Sequence, residues 1–219
     1  MKGKTKIALG TLMTCLIIGN VGFAATYENV EYKDLGAKPQ TGIAVADKER
    51  VTLDDEKYDY ENDKAGNFYG ILATANGIAN INNENITINV KNNANGDTYG
   101  VGATALTFKK TKDNYEYTHG GTVNLGAEST KNINITVNAQ GSATGIAAMR
   151  PVNDKAAEPS FLNVKGENLV INVHSENGHA AGVWVQNNTG DPRNPSTVTI
   201  DAKNTYITST AGNKQMSNG

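Results

Sequence analysis

Asn-Ile-Thr-Ile-Asn-Val at positions 85–90 recurs as Asn-Ile-Asn-Ile-Thr-Val at 132–137 and as Asn-Leu-Val-Ile-Asn-Val at 168–173. A weaker fourth copy follows at 204–209. In each copy apolar and polar residues alternate, which is the pattern of a strand with one buried face. A shorter apolar segment precedes each copy. A glycine followed by a β-branched residue comes after each of the three clear copies, and two further glycines of this kind lie earlier in the chain. These glycine elements begin at Gly42, Gly70, Gly100, Gly145 and Gly182 and are spaced by 28, 30, 45 and 37 residues.

Repeats of this length and irregularity predict a solenoid, because one repeat cannot bury its apolar face alone. The predicted fold is all-β: a parallel β-helix of roughly five three-strand coils covering residues 41–219. We expect a right-handed helix, since parallel crossovers strongly favour that hand. Few aromatic residues and many Asn, Gly and β-branched residues argue against a helical bundle.

Stacking the repeats at about 4.8 Å predicts which residues become neighbours. An asparagine stands before every long strand, and stacked amides there would hydrogen-bond along the stack as a ladder. The predicted ladder is Asn85, Asn132, Asn168 and Asn204; the predicted inward columns are Ile86, Ile133, Leu169 and Thr205, then Ile88, Ile135, Ile171 and Ile207, then Val90, Val137, Val173 and Ser209.

Other segments depart from the regular repeat. An earlier copy contains residues 51–53, but its acidic middle part at 54–63 fits the pattern poorly.

Insertions at 107–120, 150–158 and 187–195 separate a glycine element from the next strand and should project from one edge. They are the best candidates for binding loops, and ordinary solvated loops are the alternative. Possible contacts are Tyr115, Tyr117, Arg150, Trp184 and Arg193. For Trp184, which directly follows a glycine element, the alternative is that it fills the interior of the coil.

The N-terminus has the features of a secretion signal. Lys2, Lys4 and Lys6 precede an apolar stretch at 7–18, and small residues lie at the −3 and −1 positions of a cleavage site after Ala24. Residues 1–24 are therefore predicted to be a cleaved signal peptide, and 25–40 a lead segment. Residues 12–15 distantly resemble a lipoprotein box, but Thr14 is large for that box, so the secretion signal is favoured.

Charge and cysteine content limit the partners. The full chain has a net charge of −2; residues 1–24 contain three lysines, no acidic residue and the one cysteine, so the mature chain has a net charge of −5 and no cysteine. This composition indicates export without disulfides and argues against nucleic acid or an anionic membrane as the partner. We expect no membrane insertion by this chain itself.

Catalytic patterns are weak. Asp54, Asp55 and Asp59 cluster in the irregular copy, where a solvated charged turn is the simpler interpretation. His174 and His179 form a pair that lacks further ligands of metal-site spacing. We therefore predict no catalytic residue, no metal and no cofactor.

The signal, the cysteine-free Asn-rich repeats and the motifs at 85–90, 132–137 and 168–173 together resemble the passenger region of bacterial autotransporters. The resemblance implies a β-helix carried to the cell surface by a C-terminal outer-membrane β-barrel, and no such translocator pattern is found here. Since the repeat pattern stops at Gly219 where another glycine element is due, we interpret the chain as truncated or as a fragment.

The predicted function is that of a non-catalytic exported surface protein, the N-terminal passenger part of an autotransporter-like adhesin. Its partners would be surface glycans or proteins of host or bacterial cells. Its location would be the cell surface or outer membrane if the full-length protein has a barrel, and otherwise the periplasm or the medium. The alternatives are a carbohydrate-active β-helix enzyme, either a polysaccharide lyase or a glycosidase, and a gene remnant without its own function.

Overall fold

The computed structural model describes residues 30–32, 40–46, 48–110, 115–150, 158–187, 194–212 and 217–218. The described residues form strands and no helix, so the all-β prediction is confirmed. In chain order the strands are β1 (Val30–Tyr32), β2 (Gln40–Val45), β3 (Arg50–Leu53), β4 (Lys57–Asn62), β5 (Phe68–Ala73), β6 (Ile78–Ile81), β7 (Asn85–Asn92), β8 (Thr98–Thr104), β9 (Leu106–Lys110), β10 (Tyr115–His119), β11 (Thr122–Leu125), β12 (Asn132–Ala139), β13 (Ala143–Arg150), β14 (Phe161–Ser175), β15 (Ala180–Asn187), β16 (Thr197–Ala211) and β17 (Ser217–Asn218).

Strands at equivalent positions of successive repeats pair in parallel. The five strands that carry the glycine elements form, together with β17, a six-stranded sheet in the order β17-β15-β13-β8-β5-β2. The short and long strands form an eight-stranded sheet, β3-β6-β11-β14-β12-β7-β4, with β16 added to β14. Inward side chains of both sheets share one apolar core, which includes Ile71, Ile88, Ile135 and Ile146.

The predicted register is confirmed along the long strands. Ile135 of β12 pairs with Ile88 of β7 and with Ile171 of β14, and Ile171 pairs with Ile207 of β16. The asparagine ladder is present as well: Asn132 Nδ2 donates to Asn85 Oδ1 at 2.8 Å, Asn168 to Asn132 at 3.1 Å and Asn204 to Asn168 at 2.9 Å. Asn132 and Asn168 therefore both donate and accept between repeats, which satisfies their side-chain polar groups along the ladder.

A second ladder was not predicted. On the short strands Asn124 donates to Asn80 at 2.8 Å, and Asn163 donates to Asn124 at 3.0 Å. These residues alternate with buried Val123 and Leu125 along β11, so they line the opposite face of the same sheet.

Two strands are longer than the sequence pattern suggests. The short and long strands were expected to be separated by a turn, but β14 and β16 each run through both without interruption. Between the two arms of β14 stand only Lys165, Gly166 and Glu167, whereas residues 126–131 separate β11 from β12. The shorter connection lets the parallel ladder continue across the bend.

The acidic early copy fits the repeat, contrary to expectation. β4 pairs with β7 over its whole length, from Lys57 opposite Thr87 to Asn62 opposite Asn92. Tyr58 is 1 % exposed and takes an inward position, so the charged residues Lys57, Asp59 and Glu61 alternate onto the solvent face. A strand with aromatic residues inside and charges outside keeps the period of two.

The glycine elements mark where the two sheets approach each other closely. A Cβ atom at Gly70 would lie 2.5 Å from Val90 Cγ2 and 2.7 Å from the Gly100 carbonyl oxygen. The long strands therefore place their inward side chains against the glycine backbone, and only a residue without Cβ fits there.

The outer face of the six-stranded sheet carries a second apolar cluster of Tyr69, Leu72, Ala147 and Met149. The Tyr69 and Tyr99 rings stack with centroids 4.6 Å apart. Trp184 pairs with Ala147 on this outer face and is 44 % exposed, so the alternative that it fills the interior is wrong. Val183 takes the inward position, and the next residue must point outward.

The insertion at 107–120 contains an antiparallel hairpin. β9 pairs with β10, and β1 from the lead segment pairs with the other edge of β9. The predicted signal peptide at 1–24 lies outside the described residues. No helix in the described residues is long and apolar enough to cross a membrane.

Candidate functional site

The first residues of three neighbouring short strands line an open cleft of about 440 Å³. Ile78, Thr122 and Phe161 pair in register and form one wall. The turns that lead into these strands form the other wall. We call this site the edge cleft and define it by Asn76, Ile78, Gly120, Thr122, Glu158, Pro159, Phe161 and Asn194.

Two left-handed residues shape one end of the edge cleft. Ala75 and Asn76 have φ values of 52° and 61°. Their backbone N–H groups donate to the carbonyl oxygens of His119 and Gly120 at 2.9 and 2.7 Å. Left-handed backbone is readily adopted by Asn but costs about 1–2 kcal/mol for a residue such as Ala. The turn is therefore held by its contacts with the next repeat.

Two side chains from different insertions meet beside the cleft. His119 Nδ1 lies 2.7 Å from Glu158 Oε2, with the two side chains 30 % and 51 % exposed. His119 ends β10, and Glu158 is the last residue of the insertion at 150–158. The pair therefore connects two of the predicted insertions at the edge where they were expected to project.

The far end of the cleft is held by buried polar groups. Arg150, the last residue of β13, is 2 % exposed and its Nη1 donates to the Asn194 carbonyl oxygen at 3.3 Å. Ser196 N–H donates to Asn187 Oδ1 at 2.7 Å, and Ser160 N–H donates to Ser196 Oγ at 2.9 Å. These bonds fix the position at which the chain re-enters the sheet after the third insertion.

The residues predicted as binding contacts lie in different environments. Arg150 is a buried strand residue that holds Asn194 of the cleft through a hydrogen bond, and it does not project from a loop. Tyr115 and Tyr117 lie on β10 opposite Lys110 and Phe108. Their side chains lie outside the described part of the structure. Arg193 lies outside the described residues, directly before Asn194 of the cleft.

The residues that line the edge cleft differ from the predicted binding contacts. Asn76, His119, Glu158 and Phe161 all flank the glycine-to-strand connections where the insertions occur. Nothing in their types sets them apart from solvated turn residues. Only the register of the short strands shows that Ile78, Thr122 and Phe161 share one wall.

Two acidic residues of the first repeat have lysine and asparagine partners. Lys57 Nζ and Asn89 Nδ2 each lie 2.8 Å from a carboxylate oxygen of Asp59, and these hydrogen bonds hold the pKa of Asp59 below its usual range. Lys91 and Asn93 do the same for the pKa of Glu61, also at 2.8 Å. Both carboxyl groups are therefore ionised at neutral pH.

The histidine pair after the third long strand does not converge. His174 Nε2 lies 3.2 Å from Glu176 Oε1, and His179 is exposed. Among the described residues no group of three or more His, Cys, Asp or Glu side chains is arranged to hold a metal ion.

Comparisons with protein-family models, curated proteins and solved structures find no match to this chain.

Proposed function

We propose that the chain is a non-catalytic, exported surface protein whose parallel sheets wind into a β-helix and whose edge cleft contacts a partner on a cell surface. It would be the passenger part of an autotransporter-like adhesin. The observation that carries the binding role is the edge cleft itself: an open, preformed groove between insertions, with both apolar and hydrogen-bonding walls.

The β-helix is supported by the order in which the chain visits its sheets. It passes from a short strand to a long strand to a glycine strand, and then returns to the next short strand. Each strand pairs with its equivalent in the neighbouring repeats, and the inward residues of all three kinds share one core. Three rows that repeat in this order are the expected arrangement of a three-strand coil.

The chemistry of the cleft favours neutral glycans over acidic ones. Asn76, Thr122 and Asn194 supply amide and hydroxyl groups, Glu158 supplies an acceptor, and Phe161 offers an apolar ring. No lysine or arginine lines the cleft among the described residues, and the nearby Arg150 is buried. The cleft residues that the structure describes therefore offer donors and acceptors to sugar hydroxyls.

The carboxyl groups of the cleft favour binding over glycoside hydrolysis. A glycosidase uses a pair of carboxyl groups about 5–10 Å apart. Among the described residues that line the cleft, Glu158 alone carries a carboxyl group.

Export is tested first and separately. The full chain is expressed in a Gram-negative bacterium and fractionated, and the N-terminus of the exported product is read by mass spectrometry. We expect a mature chain that begins at Ala25. A product that keeps residues 1–24 and stays in the cytoplasm would remove the exported role.

Binding is then tested with the purified chain on an array of neutral and acidic oligosaccharides. We expect retention by neutral glycans, a loss of at least tenfold in affinity for Phe161→Ala and Glu158→Gln, and no change for the matched aromatic control Trp184→Ala. Cleavage of any array sugar would favour the enzyme. Equal binding by all three variants would exclude the edge cleft as the site.

A further inference from the structure

Four asparagine residues of the chain are followed directly by glycine: Asn76, Asn95, Asn177 and Asn218. In such a pair the side-chain carbonyl carbon of asparagine lies within reach of the backbone nitrogen of glycine, which has no Cβ to shield it. The nitrogen can attack only after its N–H proton is lost and the asparagine side chain has moved. Hydrogen bonds of either group oppose this, since they must first be broken. The first three pairs lie wholly within the described residues and can be compared.

The pair Asn76-Gly77 is held in place. Gly77 N–H donates to the Thr74 carbonyl oxygen at 2.8 Å, and Asn76 N–H donates to the Gly120 carbonyl oxygen at 2.7 Å. The first bond occupies the nitrogen that would attack, and both bonds fix the turn in which Asn76 has a φ of 61°. This pair is therefore protected.

The pair Asn177-Gly178 is also held, although Asn177 is exposed. It lies in the bend that follows β14. Gly178 N–H donates to Oγ of the buried Ser175 at 2.8 Å. Asn177 donates twice to Gln140 of the preceding repeat, from its backbone N–H to the carbonyl oxygen at 3.0 Å and from Nδ2 to Oε1 at 3.3 Å. Both reacting groups of this pair are therefore hydrogen-bonded.

The pair Asn95-Gly96 lies in the equivalent bend after β7 and lacks these bonds. Asn95 is exposed, and among the described residues neither its side chain nor Gly96 N–H has a hydrogen-bond partner. The Asn95 carbonyl oxygen accepts from Gly66 N–H at 3.0 Å. That bond anchors the backbone of the bend and leaves the two reacting groups free.

The missing bond has a cause in the sequence. Asn92 stands where β14 has Ser175, because both pair with Ala139 of β12. Asn92 Oδ1 accepts from Ala94 N–H at 3.1 Å, whereas Ser175 Oγ accepts from the glycine of its own bend. The bend at 93–97 is also one residue longer than the bend at 176–179, which places Gly96 one position further from the end of its strand.

We propose that Asn95 is a site of self-modification, at which the chain deamidates without an enzyme. Hydroxide removes the Gly96 N–H proton, and the nitrogen attacks Cγ of Asn95. A bond forms between this nitrogen and Cγ, the bond between Cγ and Nδ2 breaks, and ammonia leaves with a proton from water, which regenerates hydroxide. Water then opens the cyclic succinimide at one of its two carbonyl carbons. The products are aspartate and isoaspartate, each with a carboxylate in place of the amide.

Isoaspartate is the more disruptive product at this position. It adds one carbon to the backbone, and Gly96 packs directly against the Gly66 backbone on one side and against Gly141 on the other. We expect the longer backbone to lose the bond from Gly66 N–H and to loosen the bend between β7 and β8. For the same reason Gly96→Ala is unsuitable as a control, since its Cβ would collide with the Gly66 carbonyl oxygen.

Ageing of the purified chain tests the proposal. The chain is kept in mildly alkaline buffer, sampled over weeks and digested, and mass spectrometry with fragmentation that separates aspartate from isoaspartate follows each pair. We expect Asn95 to convert at least about fivefold faster than Asn76 or Asn177, the factor that corresponds to one hydrogen bond. In urea the three rates should converge, because the fold is lost. Amide hydrogen exchange should give the same order, with the glycine of the Asn95 pair exchanging fastest.

Two variants complete the test. Ser175→Ala removes the acceptor of Gly178 N–H and should raise the Asn177 rate toward that of Asn95. Asn95→Gln, whose larger ring closes more slowly, should remove the acidic species that ion exchange detects in the aged parent. Equal rates at Asn95 and Asn177 in the folded chain, or an Asn95 excess that persists in urea, overturn the proposal. The comparison within the parent decides the matter even if Ser175→Ala fails to fold.

Discussion

Gly145 lies against Ile171 with no room for a side chain between them. A Cβ atom at Gly145 would come 2.3 Å from Ile171 Cγ2 and 2.6 Å from the Gly182 carbonyl oxygen. We expect Gly145→Ala to lower the free energy of unfolding by about 1–3 kcal/mol, since an overpacked core must move its neighbours. Urea denaturation monitored by circular dichroism measures the change.

Gly166→Ala is the matched control. Its Cβ would meet the Thr130 carbonyl oxygen at 3.1 Å, which a small shift relieves. The prediction fails if Gly145→Ala unfolds at the same urea concentration as Gly166→Ala.

Truncating a fully buried isoleucine should cost more than truncating a partly buried one of the same column. Ile135 is fully buried between Ile88 and Ile171, whereas Ile207 is the last described residue of that column and is only partly buried. Ile135→Ala is expected to cost about 2–5 kcal/mol. Ile207→Ala should cost clearly less. The two urea midpoints are compared at a protein concentration where the chain is monomeric, and equal losses would contradict a stacked core.

Asn132 is the central member of the amide ladder and both donates and accepts within it. Asn132→Ala removes two side-chain hydrogen bonds, and we expect a loss of about 1–2 kcal/mol in unfolding free energy. Asn134→Ala is its control, because Asn134 lies on the same strand with an exposed side chain. A thermal melt that shows equal midpoints for the two variants would mean that the ladder adds no stability.

Acid should weaken the fold through its surface carboxylates. Lysine partners hold the pKa of Asp59, Glu61, Glu128 and Glu167 below the ordinary range. Because these pKa values are lower in the folded chain, their contribution is fully present above the unfolded values and disappears as pH falls through the folded ones. The urea midpoint should therefore be constant near neutral pH and decrease below about pH 5.

The double variant Asp59→Asn with Glu61→Gln tests which groups are responsible. It should show a shallower decrease between pH 5 and pH 3 than the parent chain. An unchanged slope would assign the acid sensitivity to other groups.

Much of the sheet could be predicted because each strand has one buried face. The positions of Ile86, Ile88 and Val90 recur at fixed offsets from an asparagine, so the register followed directly. The glycine elements could be recognised in the sequence, but the physical reason for glycine at these positions could not. That reason is the close approach of two sheets, such as Gly70 to Val90, which no local sequence pattern encodes.

The site was less accessible to prediction. The insertions indicated an edge at which the structure has a cleft, but Arg150 was assigned to a loop when it belongs to a strand and is buried. Glu158 and His119 meet only because two insertions of different length end near the same short strands. The position of Trp184 directly after a glycine element left both a contact role and an interior position open, and the alternation around Val183 turns it outward.

The pairing of each strand with its equivalent also has a mechanical consequence. Hydrogen bonds between repeats point along the direction in which the repeats succeed one another. A force that separates the first and last repeats along that direction would act on one row of bonds at a time and would peel the repeats off singly. We expect a low, stepwise extension with increments of one repeat, in contrast to the single high-force rupture of sheets sheared along their strands.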